Sequence, residues 1–203
     1  VRFDEKKFSY DSKFFDKNEK YDLNGLFQTE KYFYGIRKVL LKELKPAKED
    51  IIDYCKDYIK RLKNFYPNKD IVALHNRRGD NVPSKTEYSN LELGVFLNDK
   101  NRYHPLMSLD YFYGAIKMFD NCIFLVFSDT DEDVQWCKKK FKGDNYFFSE
   151  GHDDLTDLML MKHCDHNIIS NSSYSWWGAW LNENSKKKVI APKVWFGEAY
   201  ESW

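Results

Sequence analysis

The sequence predicts an α/β fold, a Rossmann-like parallel sheet with flanking helices, and three observations carry that expectation. After Pro67-Asn68-Lys69 short apolar runs alternate with amphipathic stretches, which is the pattern of βαβ units. Residues 122–127, Cys-Ile-Phe-Leu-Val-Phe, form a fully apolar strand that delivers Ser128-Asp129 at its carboxyl end. The apolar run Ile71-Val72-Ala73-Leu74-His75 leads into Asn76-Arg77-Arg78-Gly79-Asp80, and the ends of such strands are where open α/β sheets bind ligands.

Taken in order, residues 1–21 mix Lys, Asp, Phe and Tyr without a period of two or 3.6, so they read as irregular or as short strands. Gly25 and a dense aromatic set, Phe27, Tyr32, Phe33 and Tyr34, follow. Ile36, Val39, Leu40 and Leu44 then recur at helical spacing until Pro46 stops the pattern. A second helix is expected over 49–65 through Ile51, Ile52, Cys55, Ile59 and Leu62, with acids at its start and Lys60, Arg61 and Lys63 near its end, as the helix dipole favours. Strands are expected at 71–75, 122–128, 146–148, 167–170 and 188–191, and helices at 108–119, 132–140, 154–163 and 175–181. The polar stretch 81–105 has little periodicity, and loops of that length are commonly functional. This divides the chain into a mostly helical linking region, 1–66, and a Rossmann-like donor-binding domain, 67–203.

The 203 residues suit one large domain or one domain with an appendage. Basic and acidic residues balance at 32 each, so no overall field draws nucleic acid or an anionic membrane, and any anion site must be local. Cys55, Cys122, Cys137 and Cys164 lack CxxC spacing and read as free thiols of a reducing compartment. With no signal pattern and no span-length apolar run, the chain is expected to be cytoplasmic.

Guanidinium forks at a strand end suit a phosphate or diphosphate, which makes a sugar nucleotide the natural ligand. In a continuing strand Arg77 and Arg78 diverge to opposite faces, so one is expected in the cleft while the other holds structure. His75 shares a face with Arg77 and suits hydrogen bonding to a base or ribose. Asp80 suits pairing with an arginine. Asp129-Thr130-Asp131 has two readings. In one it is a D-x-D pair for Mg²⁺ or Mn²⁺; in the other Asp129 reads a guanine edge or ribose hydroxyl while Asp131 to Asp133 cap a helix. The paired arginines already neutralise a diphosphate, which favours the metal-free reading.

Asn171, Ser172, Ser173 and Ser175 lie between a strand and a helix, where hydroxyls and backbone N–H groups converge at a positive helix end. Trp176, Trp177 and Trp180 read as helix packing. His163-Cys164-Asp165-His166 holds metal-capable side chains, but four consecutive residues at a helix end cannot all face one ion. Asp157 stands inside an apolar helix, so its carboxylate needs a partner, an arginine or a backbone turn.

In order, His75-Asn76-Arg77-Arg78-Gly79-Asp80, Ser128-Asp129, Asp157-Leu158-Met159-Leu160-Met161, Ile168 through Asn182, Val189-Ile190-Ala191-Pro192 and Trp195-Phe196 resemble glycosyltransferase family 11, the α-1,2-fucosyltransferases. The resemblance covers about residues 23–196. It implies the nucleotide-sugar lobe of a two-lobed GT-B-type fold, transfer of fucose from GDP-fucose to a glycan hydroxyl with inversion, and no metal or other cofactor. It also implies Arg77 at the donor diphosphate, Ser172 and Ser173 at the phosphates, and His75 and Asp129 near guanine. The family's glycine-rich Gly-Leu-Gly-Asn-Gln opening has no counterpart here, so most of the first lobe is expected to be missing, or supplied by an adjoining domain. Asp80 and Glu87 are the carboxylates nearest the motif for the base that direct displacement needs. The competing readings are a metal-dependent D-x-D transferase and a non-catalytic GDP-sugar or glycan-binding module.

Overall fold

The structure, a computed structural model, describes residues 2–5, 10–15, 22–27, 29–46, 49–78 and 104–197. Asp80, Glu87 and the long polar stretch up to residue 103 therefore lie outside the described residues. The chain divides into two units, Val1–Lys45 with Tyr200–Trp203, and Pro46–Ala199.

In the first unit the aperiodic opening forms a strand, β1 (Arg2–Asp4), which runs parallel to β2 (Asp22–Asn24). Because the stretch has no amphipathic period, its order comes from side chains. The Glu5 carboxylate accepts the backbone N–H groups of Leu26 and Phe27. The rings of Phe3, Phe14, Phe27 and Tyr32 meet edge to face or tilted at centroid distances of 4.9–5.8 Å. Then comes the short helix α1 (Arg37–Glu43).

The second unit begins with α2 (Glu49–Phe65), which buries Cys55, Ile59 and Leu62 from one face, as the spacing predicts. This helix packs on α5 (Asp154–His163), so the unit starts at Pro46, ahead of the boundary at residue 67 that the change of rhythm suggested. The remaining elements are β3 (Asp70–His75), α3 (Leu109–Ile116), β4 (Cys122–Phe127), α4 (Asp131–Lys140), β5 (Tyr146–Phe148), β6 (His166–Ile168), α6 (Ser173–Leu181) and β7 (Val189–Ile190). Five strands make one parallel sheet in the order β5-β4-β3-β6-β7.

All six residues of β4 and five of β3 are buried, because helices cover both faces of the sheet. On one face Val72, Leu74, Phe112, Phe124, Val126, Phe141 and Ile168 form a single cluster. The alternate residues Ile71, Ala73, Ile123 and Leu125 are equally enclosed. Each large side chain so buried contributes roughly 1.5–3 kcal/mol of apolar transfer. Every cysteine is buried and free of disulfide bonds, in agreement with the sequence reading. Among the described residues no helix is long and apolar enough to cross a membrane.

The order of the strands locates the site. From β3 the chain winds outward to β4 and β5, then returns through α5 to β6 on the other side of β3. The winding direction reverses between β3 and β6, and the crevice beyond their carboxyl ends is the switch point where sheets of this kind take ligands.

Candidate functional site

At the switch point Ser170 ties the two strand exits together. Its hydroxyl donates to the His75 carbonyl (2.6 Å) and accepts the Arg77 backbone N–H (3.0 Å). The half-buried Arg77 is thereby held beside the start of α6. On the other side, Ser128 Oγ donates to the Asn76 carbonyl (2.8 Å) and the Asn76 N–H donates to the Phe127 carbonyl (2.9 Å), fastening β3 to β4.

Arg78 is the arginine that holds structure. Its side chain is 2% exposed, its Nε donates to Asp133 (3.1 Å), and its guanidinium lies 3.6 Å from the centre of the Trp136 ring. Thr130 Oγ1 caps α4, accepting the Asp133 N–H and donating to its carboxylate. Asp129 accepts the Arg78 N–H at 2.6 Å. Of the acidic run, then, Asp129 and Asp133 are engaged with Arg78, while Asp131, Glu132 and Asp133 fill the first turn of α4, where the helix dipole favours negative charge. Among the described residues no three His, Cys, Asp or Glu side chains gather as a metal site, and the 163–166 run forms none. There, Asp165 instead accepts from Lys63 and the Ile71 N–H, and His166 pairs with Asp70.

Beyond β6, Ser172 is the N-cap of α6, yet its side chain makes no capping bond and its buried Oγ has no hydrogen-bond partner among the described residues. Ser173 is exposed at the first helical position. Ser175 is turned inward, fully buried, and donates to the Ser172 carbonyl (3.3 Å), so the structure does not bring it to the crevice with Ser172 and Ser173. His75 faces Tyr174 with ring centroids 5.6 Å apart, and Tyr174 OH donates to the Asp154 carbonyl on α5. Burial, together with the Arg77 charge, holds the His75 pKa down at about 3, so the imidazole is neutral. Its Nδ1 is buried without a hydrogen-bond partner among the described residues, as is Asn171 Oδ1. Three orphaned polar atoms around one strand-to-helix turn mark a place built for polar ligand atoms.

Among the described residues Asp157 finds its partners in Ser149 and His152, in place of the arginine or backbone turn expected. Ser149 Oγ donates to it at 2.5 Å and His152 Nδ1 lies 3.4 Å away, while His152 Nε2 is 2.7 Å from the Tyr54 hydroxyl. Burial lifts the Asp157 carboxyl above the ordinary range, and the bonds from Ser149 and His152 work against that rise. The sequence reading missed Ser149 and His152, although their place at the carboxyl end of β5 matches the position of the other site residues. Of the three tryptophans of α6, Trp176 and Trp180 stack and Trp177 meets both edge to face, with Trp180 buried, as packing requires.

Such a site can hold an anion by the Arg77 side chain and the N–H groups of a helix start, with neutral aromatic surface beside it. Compared with known proteins, residues 6–202 match the family described as Glycosyl transferase family 11. The chain is 32% identical over 184 residues to the O-antigen biosynthesis glycosyltransferase WbnK of Escherichia coli, covering 87% of this chain and 55% of that one. It is 33% identical over 181 residues to an alpha-1,2-colitosyltransferase of Escherichia coli, covering 85% and 55%. This chain thus spans about 55% of the length of these curated relatives. Among solved structures it is similar to POFUT1 in complex with GDP, with a TM-score of 0.43, 15% identity, and coverage of 70% of this chain and 46% of that one.

Proposed function

The chain belongs to glycosyl transferase family 11, and from that premise we propose that it binds GDP-fucose at the β3/β6 switch point and serves an inverting, metal-independent transfer of fucose to a glycan hydroxyl in α-1,2 linkage. One observation carries the reading: the Ser170 bridge, which holds the Arg77 exit of β3 against the hydroxyl-lined start of α6. When the glycosidic bond breaks, negative charge grows on the β-phosphate. The guanidinium of Arg77, whose backbone is held in place, and the N–H groups of the helix start stabilise that charge. The neutral His75 and the ring of Tyr174 suit the uncharged nucleoside. Asp80 and Glu87 are the candidates to take the acceptor proton.

Asp129 accepts the Arg78 backbone N–H and Asp131 lies in the first turn of α4, where the helix dipole favours its charge, which supports a donor site that works without a divalent cation. Transfer is therefore expected to be unchanged by EDTA, and activity lost to chelator and restored by Mn²⁺ would reinstate the D-x-D reading. A colitose nucleotide is the second donor to test, since one relative is an alpha-1,2-colitosyltransferase. Thermal-shift titration with GDP, UDP and dTDP and their sugars tests the reading, since a ligand that binds the folded state raises the melting temperature by mass action. A shift with GDP ligands alone is expected; a preference for UDP or dTDP, or no shift at all, rejects it.

A further inference from the structure

Asn171 sits one residue before the N-cap of α6, 2% exposed, with its side-chain amide fixed in orientation. Its Nδ2 donates both hydrogens, to the carbonyl of Pro105 (2.9 Å) and to the carbonyl of Trp195 (3.2 Å). Turning the amide over would set Oδ1 against two carbonyl oxygens, so the assignment is forced by chemistry. That leaves Oδ1 buried and without a hydrogen-bond partner among the described residues.

An amide oxygen only accepts hydrogen bonds, and an ionised diphosphate does the same. Asn171 therefore cannot grip the phosphates through its side chain, although it stands next to Ser172. What Oδ1 lacks is a donor, and the only groups on a sugar nucleotide that give one beside the phosphates are sugar hydroxyls. The two sides of the cradle differ. His75 and Tyr174 lie toward α5, through the bond from Tyr174 to Asp154. Asn171 lies at the exit of β6, on the β7 side of β3, tethered to Trp195 beyond β7 and to Pro105 ahead of α3. A donor with its nucleoside on the His75 side has its sugar on the Asn171 side.

We infer that Asn171 Oδ1 accepts a hydrogen bond from a hydroxyl of the transferred sugar, which makes it a specificity-determining contact for that sugar. The inference rests on the donor-site reading above. It is tested by calorimetry on the whole chain and on Asn171→Ala, using GDP, 2′-deoxy-GDP, GDP-fucose, and GDP-fucose analogues in which one sugar hydroxyl at a time is replaced by fluorine, which cannot donate.

In the unaltered chain one analogue is expected to bind about tenfold more weakly than GDP-fucose, as loss of one hydrogen bond implies, and in Asn171→Ala that ratio is expected to fall close to one. The ratio of GDP to 2′-deoxy-GDP is expected to be the same in both proteins. The inference is overturned if no fluorinated donor is penalised in the unaltered chain, if the penalty persists in Asn171→Ala, or if the substitution instead abolishes a penalty for 2′-deoxy-GDP, which would assign the contact to the ribose. Should Asn171→Ala fail to fold, the same two ratios are read in Asn171→Ser, with the same outcomes deciding. Failure of GDP itself to bind is a separate result, and it removes the donor reading along with everything built on it.

Discussion

Arg77 and Arg78 are neighbours in sequence with different surroundings, one half-buried at the crevice and the other enclosed by Asp133 and Trp136. Asp133→Ala takes away the buried carboxylate to which Arg78 Nε donates, so it is expected to cost about 3–5 kcal/mol in denaturant unfolding. A loss below 1 kcal/mol would show that Trp136 and solvent carry that charge instead. His75 makes a prediction in pH. The folded state holds it neutral down to about pH 3, whereas in the unfolded chain it takes a proton near its ordinary value of 6.5. Its contribution is thus complete above pH 6.5 and declines as pH falls from there toward 3, with a slope approaching about 1.4 kcal/mol per pH unit. The difference in unfolding free energy between the unaltered chain and His75→Gln, measured from pH 7 to pH 4.5, is expected to shrink along that slope. A flat difference would mean that His75 is charged, or solvated, in the fold.

Among the elements, the pairing of α5 with α6 sets where the positive helix start points. Gly178 of α6 lies against Met161 of α5 so closely that a Cβ there would come within 2.9 Å of the Met161 Cβ. Gly178→Ala is expected to force the helices apart at a cost of roughly 1–3 kcal/mol, read as a lower melting temperature. An unchanged melting temperature would mean that the interface has slack. The cost arises in packing, ahead of any ligand, so a weaker response to GDP in the same variant would report the displaced helix start.

For the molecule as a whole, the parallel sheet was legible because residues 71–74 of β3 and all of β4 are apolar, and α2 and α5 match their expected limits residue for residue. Legibility failed where order depends on contacts distant in sequence. The unit boundary at Pro46 follows from packing of α2 on α5, which no local rhythm reveals. Of the site residues, His75, Arg77, Asp129 and Ser172 stand at strand or helix ends that hydrophobic patterning marks. The inward turn of Ser175 and the two donor bonds of Asn171 are settled by burial and by Pro105 and Trp195, far along the chain. The partners of Asp157 escaped notice for the same reason, since Ser149 and His152 precede its helix in a turn of otherwise ordinary composition.

At the centre stands Arg77, tied through its backbone N–H at the exit of β3 beside the start of α6, a placement suited to clamping a diphosphate. Titration calorimetry of GDP against the unaltered chain and Arg77→Ala tests it most directly. One GDP per chain is expected, with an affinity about 10- to 100-fold lower in Arg77→Ala, the loss that one charge-assisted contact implies, and an unchanged melting temperature without ligand. Equal GDP affinity in the two proteins would contradict the clamp.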